Sequence, residues 1–291
     1  MRGTNTQGLE RRWGDWARSR LPVGVADLVL FCLKMGWAAL FGLLLLIAIF
    51  VTRVIWSDDW PIARYDALVI FAVAVQALFL TLRLETWREA KVILIFHVTG
   101  TAMEIFKVNA GSWAYPEPGL VKLWGVPLFS GFMYASVGSF MARVIRIFDM
   151  RFAPYPPFGA SLALALAIYV NFFAHHYLPD IRVALFAATV ILFWHTRITY
   201  RVRRVHWMPM VLAAVLSSFF LWVAENIGTN TGTWVYAGQG AWELVSLSKM
   251  GSWYLLLYVS FVSVTLVYRD ALEERPLRAT LASPSRPAQS R

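Results

Sequence analysis

The sequence has few of the residues on which soluble, redox-active and metal-binding proteins depend. One cysteine, Cys32, occurs among 291 residues, which excludes intrachain disulfides, cysteine-based zinc sites and iron–sulfur clusters. Charged residues make up only 15%, whereas hydrophobic residues make up 58% and the mean hydropathy is +0.56. This balance lies outside the usual range of soluble globular domains. The sequence therefore predicts an all-α membrane protein that crosses the bilayer several times.

Sequence signals for nucleotides and nucleic acids are also lacking. No Walker sequence, phosphate-cradling glycine loop or dinucleotide fingerprint occurs in the chain. The net charge of +10 would suit nucleic acid, but the Lys and Arg residues lie in short clusters between apolar runs, away from stacking aromatic residues. We therefore predict no cofactor and no nucleic-acid partner. The expected partners are the lipid bilayer and a hydrophobic small molecule.

Long runs of apolar residues are the main feature of the sequence. The hydrocarbon core of a bilayer is about 30 Å thick, so one helical crossing needs roughly 20 mostly apolar residues. About eight transmembrane helices are predicted, approximately at residues 35–52, 66–84, 92–108, 127–147, 160–177, 182–195, 209–227 and 253–268.

The basic residues predict the orientation of these spans. Most of the 27 Lys and Arg residues fall before the first span or after the even-numbered spans. Because basic loops stay in the cytoplasm, both termini are predicted to be cytoplasmic, in a bacterial inner membrane. We expect residues 1–24 to form an interfacial segment and residues 271–291 to form a disordered tail.

Two stretches of the chain resemble each other. Residues 104–115 are EIFKVNAGSWAY, and residues 225–236 are ENIGTNTGTWVY. The same spacing superimposes the first four predicted spans on the last four. We therefore predict two parallel four-helix repeats, residues 25–150 and 151–270, related by a pseudo-two-fold axis along the membrane normal.

Each motif follows the extracytoplasmic end of a predicted span, where its Asn and Gly residues suit the left-handed turn that ends helices. Ionisable side chains inside a bilayer usually face a cavity or a partner, and removal from water favours the uncharged form of a carboxyl. Glu104 and Glu225 are therefore candidate catalytic proton donors, together with His97 on the same helix face as Glu104. The candidate substrate-binding residues are Asn109, Trp113, Tyr115, Asn230, Trp234, Tyr236 and His175.

Other roles for these residues stay open. Each glutamate could instead accept hydrogen bonds from Asn109 or Asn230, from loop amides or from an indole N–H, and so fix its loop. His97 could be a hydrogen-bonded interior histidine. A metal site made of His175, His176 and one glutamate is a further alternative, although adjacent helical residues point about 100° apart.

The first motif carries a resemblance to known families. Glu104 followed by NAGSWAYPEP at 109–118 and GVPLFSGFMY at 125–134 resembles the YoaT-like bacterial integral membrane family, a domain of unknown function. The resemblance covers nearly the whole chain apart from its termini. It implies a membrane protein and brings no established activity with it.

A weaker similarity links the same stretch to membrane proteins of the carotenoid hydratase type. Those proteins have an intramembrane glutamate, a glycine-rich turn, an aromatic-x-Tyr element and a Gly-Val-Pro entry to the next helix. The matching residues here are Glu104, Gly111, Trp113, Tyr115, Gly125, Val126 and Pro127. This similarity implies a substrate of the carotenoid type.

Three functions compete at this point. The first is a lipid-phase enzyme or binder of an isoprenoid or carotenoid-like substrate, in which a carboxylic acid protonates a carbon–carbon double bond and aromatic faces stabilise the cation. The second is a proton-coupled small-solute transporter whose repeats rock about a central cavity. The third is a membrane scaffold that docks a partner through the Trp-Tyr loops.

Overall fold

The computed structural model describes residues 22–57, 59–175, 177–236 and 243–273. Most of the predicted N-terminal segment and C-terminal tail lies outside these residues. Within them the chain is mostly helical, and its helices are α1 (Val23–Ala38), α2 (Leu40–Ile55), α3 (Arg64–Thr81), α4 (Trp87–Asn109), α5 (Phe129–Ile147), α6 (Phe158–Ala174), α7 (Arg182–Phe193), α8 (Met210–Asn230) and α9 (Leu247–Val267).

Short antiparallel strands occupy the connections, where the sequence predicted loops. They are β1 (Trp113–Ala114), β2 (Lys122–Leu123), β3 (Val126–Pro127), β4 (Arg151–Ala153), β5 (Arg197–Arg201), β6 (Val205–Pro209) and β7 (Val235–Tyr236). Strand β1 pairs with β7, β2 pairs with β3, and β5 lies between β4 and β6. The β1–β7 pair joins connections that are far apart in the sequence.

Several helices are long and apolar enough to cross a membrane. Helices α3, α4, α8 and α9 each meet that criterion alone, and α1 with α2 meets it as one broken span bent by 67°. Helices α6 and α7 are apolar but shorter. The expectation of a mostly helical membrane protein is thus confirmed with four to five candidate spans, and the count of eight stays a prediction.

The outer faces of the helices carry large apolar side chains. Val183 is 82% exposed, Phe220 is 70% exposed and Leu94 is 63% exposed. Soluble monomers rarely expose contiguous apolar surface on this scale, whereas lipid tails accept it. The exposed surface therefore agrees with the apolar composition in indicating a protein embedded in lipid.

The first predicted span differs from the structure, because it is divided into two helices at Ala39. Lys34 gives a physical reason for the bend. Its ammonium group donates to the carbonyl of Ile147 at 3.2 Å and to that of Arg201 at 3.1 Å. A lysine in an apolar helix needs polar partners, and the bend lets α1 approach these two carbonyls.

A buried ion network fixes the opposite end of the bundle from the two motifs. Arg143 of α5 and Glu85, before α4, are both fully buried, with 2.7 Å between Nη2 and Oε1. The Ser139 hydroxyl donates to the same glutamate oxygen at 3.1 Å. One turn further along α5, Arg146 pairs with Glu89 at 2.8 Å. These contacts hold the connection between α3 and α4 against α5.

Glu85→Gln should destabilise the protein strongly, because it removes the carboxylate that pairs directly with the buried Arg143 guanidinium. We expect the free energy of unfolding to fall by about 3 kcal/mol, as measured by denaturant titration in a mild detergent. Asp270→Asn is the matched control, since it removes the partner of Arg88 in an exposed pair. Its effect should stay below about 1 kcal/mol. Equal losses in the two variants would contradict the assignment of Glu85 as the buried counter-ion.

Candidate functional site

The two motif helices, α4 and α8, end in the same way. Gly111 and Gly232 have φ values of +72° and +64°, the left-handed region that favours glycine. In each case the glycine amide donates to the carbonyl three residues back. The following amides, of Ser112 and Thr233, donate to the carbonyls five residues back, both at 3.0 Å. This pair of bonds is the Schellman ending, and it turns both chains sharply out of the helix.

The strands that follow these turns bring the two motifs together. Trp113 of β1 pairs with Tyr236 of β7, and Ala114 pairs with Val235. The rings of Trp113 and Tyr236 meet edge to face with 5.8 Å between centroids. The motifs therefore share one end of the helical bundle and build a single site.

Glu104 is buried and accepts three hydrogen bonds from aromatic side chains. Its Oε2 atom accepts from the Trp113 indole N–H and from the Tyr115 hydroxyl, both at 2.8 Å. Its Oε1 atom accepts from the Tyr134 hydroxyl of α5 at 2.6 Å. The first two donors fix the loop of the motif itself, and the third fixes α4 to α5.

Glu225 is buried in a parallel arrangement. Its Oε1 atom accepts from the Trp234 indole at 2.9 Å and from the Tyr236 hydroxyl. Its Oε2 atom accepts from the Trp253 indole of α9 at 3.2 Å. In both motifs, therefore, the glutamate holds the Trp and Tyr that lie nine and eleven residues after it.

The third donors make the two carboxyls chemically different. A tyrosine hydroxyl can donate or accept, whereas an indole N–H only donates. The Oε1 atom of Glu104 can therefore carry a proton and donate it to Tyr134 Oη. The Oε2 atom of Glu225 faces the Trp253 N–H donor whether the carboxyl is protonated or ionised. Burial raises the pKa of Tyr115 and of Tyr236 above the usual range, so both hydroxyls stay protonated as donors.

Both carboxyls line a cavity of about 1100 Å³ between α2, α5, α8 and α9. The rest of its lining is mostly apolar and extends along α8 from Met210 to Ile227. At about 1.5 Å per residue this is roughly 25 Å of helix. The cavity is therefore long and mostly apolar, and its charged side chains gather at the end where the motifs lie.

Comparison with known proteins places this architecture in a family. The DUF817 sequence profile, described as a protein of unknown function, matches residues 27–261. The chain belongs to the DUF817 family. The Bacillus subtilis protein YoaT, described as uncharacterized, is 41% identical over 259 residues, which cover 88% of this chain and 97% of YoaT. The predicted relation to YoaT-like proteins is thus confirmed, and the similarity to carotenoid hydratases stays a prediction.

A crystal structure of a cross-linked MvINS variant trimer also superposes on this DUF817 protein. The TM-score is 0.43 at 14% identity, over 64% of this chain and 97% of the other. A likeness of this size carries no inference about function.

Some predicted site residues lie apart from the carboxyls of the DUF817 chain. The His97 ring packs on Phe132 at 4.4 Å, two helical turns from Glu104. Asn109 is exposed, and its amide donates to a carbonyl of its own helix at 2.7 Å. Asn230 is half-buried as the last residue of α8. Among the alternatives for holding the glutamates, the contacts therefore use the indole N–H groups and not the side chain of Asn109.

His175 lines the cavity at the end of α6, and its Nδ1 lies 3.1 Å from the carbonyl of Asn171. His176 lies outside the described residues. Among the residues that are described, no group of three His, Cys, Asp or Glu side chains could hold a metal ion.

Tyr134 and Trp253 supply the third hydrogen bond to each glutamate. The sequence suggests Tyr134 as a possible lining residue of this cavity, but sequence reasoning missed Trp253. It also missed three cationic side chains that line the same cavity, Lys107, Arg182 and Lys249. The sequence could have identified Lys107 as a site residue, because a lysine one turn after Glu104 lies on the same face of an apolar helix. No comparable local signal marks Trp253.

Gly228→Ala should destabilise the second motif, because an added Cβ would lie 1.8 Å from the Trp234 ring. Displacing that ring should lower the free energy of unfolding by about 1–3 kcal/mol. Gly159→Ala in α6 is the matched control, since no atom lies within 4 Å of its Cβ position. Ala is the better helix former, so the control should be neutral or stabilised by up to about 1 kcal/mol. Thermal unfolding of both variants in the same detergent tests this, and a neutral Gly228→Ala variant would rule out the close packing.

Proposed function

We propose that this DUF817 protein is a membrane-embedded binder of a long hydrophobic molecule of the isoprenoid or carotenoid class. The observation that carries the proposal is the cavity of about 1100 Å³, with apolar walls along α8 and two carboxyls at one end. Binding sites for small molecules are typically concave, mostly apolar and furnished with a few polar groups that set orientation. A linear hydrocarbon lying beside α8 would fill this shape.

The site residues also support carboxylic-acid chemistry on the bound molecule. In the proposed reaction, Glu104 gives its Oε1 proton to one carbon of a double bond, and the neighbouring carbon becomes a cation. The ring faces of Trp113 and Tyr115 would stabilise that cation. A water oxygen then bonds to the cation, and the proton released by this water returns to Glu104. The net reaction adds water across the double bond.

The proposal includes eight membrane crossings in two parallel four-helix repeats. The order of the helices supports it, since α1 with α2 as one broken span, followed by α3, α4 and α5, would form the first repeat. Helices α6, α7, α8 and α9 would form the second. The matched endings of α4 and α8 support the same division. In this arrangement both motifs face the outside of the cell and both termini face the cytoplasm.

Cysteine labelling tests the proposed orientation. In a Cys32→Ser background, Leu120→Cys places a thiol in the connection after α4, where the residue is 94% exposed. Arg204→Cys places one in the exposed turn between β5 and β6. A membrane-impermeant maleimide should label the first variant in intact cells and the second only after permeabilisation. The reverse pattern would show that the orientation is opposite to the proposed one. Labelling of both variants in intact cells would contradict the proposed topology.

Lipid analysis tests the proposed reaction. Membranes that contain the wild-type protein should accumulate an isoprenoid product whose mass exceeds that of its precursor by one water. Glu104→Gln should lower the rate of product formation by about 10²–10⁴-fold, because the amide cannot act as a general acid. Tyr134→Phe should also lower the rate, since it removes the group that faces the Oε1 proton.

Glu243→Gln is the matched control for this experiment, because Glu243 is exposed. It should leave product formation unchanged. Size-exclusion chromatography establishes that each variant is folded. Identical isoprenoid profiles with and without the protein would contradict the reaction, and absence of any isoprenoid from the purified protein would contradict binding.

A proton-coupled transporter is the second candidate, favoured by the length of the cavity along α8. A path of roughly 25 Å approaches the thickness of the hydrocarbon core. In this alternative the two glutamates carry protons and the repeats rock about the cavity. Uptake into proteoliposomes that depends on a pH gradient would favour transport over the lipid-phase reaction.

A further inference from the structure

The sheet formed by strands β4, β5 and β6 has two faces of opposite character. Side chains alternate between the faces of a strand, so Ile198 and Tyr200 of β5 point to one face, and Arg197 and Arg201 point to the other. Ile198 and Tyr200 line the cavity together with Met208, which pairs with Ile198 from β6. The outer face, which carries Arg197 and Arg201, therefore points away from the cavity, and both arginines are exposed.

The outer face combines these arginines with large apolar side chains. Trp207 pairs with Thr199, and Val205 pairs with Arg201, so both apolar side chains lie on the same face as the arginines. Trp207 is 55% exposed and Val205 is 61% exposed. The Arg197 guanidinium lies 4.2 Å from the centroid of the Trp207 ring. This stacking holds the guanidinium in place without using the N–H donors in its plane.

Five arginines belong to this sheet and to the turn between β5 and β6, namely Arg151, Arg197, Arg201, Arg203 and Arg204. Two aspartates lie beside them. Asp149 lies 3.6 Å from Arg151 and 4.0 Å from Arg201, and Asp27 lies 3.6 Å from Arg203. The two pairs of Asp149 are exposed, so water screens them and they contribute little.

Two of the five arginines have no counter-ion among the described residues. Asp270 acts electrostatically on Arg151, but its carboxylate pairs with Arg88 at 2.7 Å. Neither Arg197 nor Arg204 forms an ion pair with a carboxylate that the structure describes. The outer face and the turn therefore carry more positive than negative charge, and a partner of complementary charge is an anion.

Exposed tryptophans indicate the depth at which this face lies. Trp194 directly follows α7 and is 67% exposed, and Trp207 lies three residues before α8. Indole rings at the ends of membrane helices favour the level of the lipid headgroups, where an apolar ring and a polar N–H both find suitable surroundings. Arg197 lies three residues after Trp194 and contacts Trp207, so it lies at the same level.

We infer that the outer face of this sheet binds the phosphate of an anionic phospholipid in the adjoining leaflet. Arg197 and Arg201 would hold the phosphate, because a guanidinium can donate two parallel hydrogen bonds to two phosphate oxygens. Arg204 would add attraction from the turn, and Val205 and Trp207 would lie between neighbouring headgroups. The inference is independent of the ligand that fills the cavity.

Thermal unfolding of the full-length protein in a neutral detergent provides the first test. The rise of the unfolding midpoint with ligand concentration gives an apparent dissociation constant. Dioleoylphosphatidylglycerol should bind about tenfold more tightly than dioleoylphosphatidylcholine, because the choline group cancels the phosphate charge and each basic side chain near an anionic lipid contributes about a factor of five. Added salt should reduce this preference. Inorganic phosphate and a poly-glutamate peptide should bind more weakly than phosphatidylglycerol.

Variants provide the second test. Arg197→Gln should weaken the binding of phosphatidylglycerol by about fivefold and leave that of phosphatidylcholine unchanged. Lys91→Gln is the matched control, since it removes one exposed positive charge near the start of α4, at the same end of the bundle. It should leave both affinities unchanged. Binding of phosphatidylcholine reports whether each variant is folded.

The outcomes distinguish this inference from its rivals and from the proposed function. Equal binding of the two lipids by the wild-type protein would overturn the site, and so would equal losses in Arg197→Gln and Lys91→Gln, which would assign the preference to overall charge. If inorganic phosphate or poly-glutamate binds as tightly as phosphatidylglycerol, the face recognises a free anion or an acidic protein, and the lipid is overturned. A protein that prefers phosphatidylglycerol through Arg197 but binds no isoprenoid would support this inference and contradict only the proposed function.

Discussion

A carboxyl that is withdrawn from water must find hydrogen-bond donors, and this requirement organises the motif end of the molecule. Glu104 takes its donors from β1, from the residues just after it and from α5. Glu225 takes its donors from Trp234, just before β7, from β7 itself, which pairs with β1, and from α9. Each carboxyl joins its own loop to a neighbouring helix. The two glutamates therefore hold parts of both halves of the chain together at one end of the cavity. Both side chains therefore have a structural role at this end of the molecule, whichever chemistry they support.

The two motifs use the same scheme with one difference that changes their chemistry. The third donor is a phenol at Glu104 and an indole at Glu225, so only at Glu104 can the third partner also accept a hydrogen bond. Two copies of one folding device can diverge in this way, since the shared Trp and Tyr preserve the loop while the third partner is free to vary.

The sequence predicts the helices and their endings well because these depend on local chemistry. Apolar runs long enough to span lipid mark the helices, and Gly111 and Gly232 mark the left-handed turns that end α4 and α8. The third donors depend on contacts 30 residues away for Tyr134 and 28 for Trp253, which periodicity does not encode. The spacing of His97 and Glu104 predicts that they share one face of their helix. It does not predict that the His97 ring packs on Phe132, because that contact depends on tertiary packing.

The polarity of the cavity determines the orientation of whatever fills it. Burying hydrocarbon along α8 is favourable by roughly 25 cal/mol per Å² of apolar surface, whereas a charged group placed there would lose its hydration. At the other end, Lys107 is 2% exposed, and its ammonium group lies over the ring of Phe172. For the hydrophobic ligand proposed above, these opposite preferences favour a chain that lies beside α8 and a polar group, where the ligand has one, at the motif end. In the proposed binder, the constraint that orders the loops around Glu104 would then also select which part of the ligand meets this carboxyl.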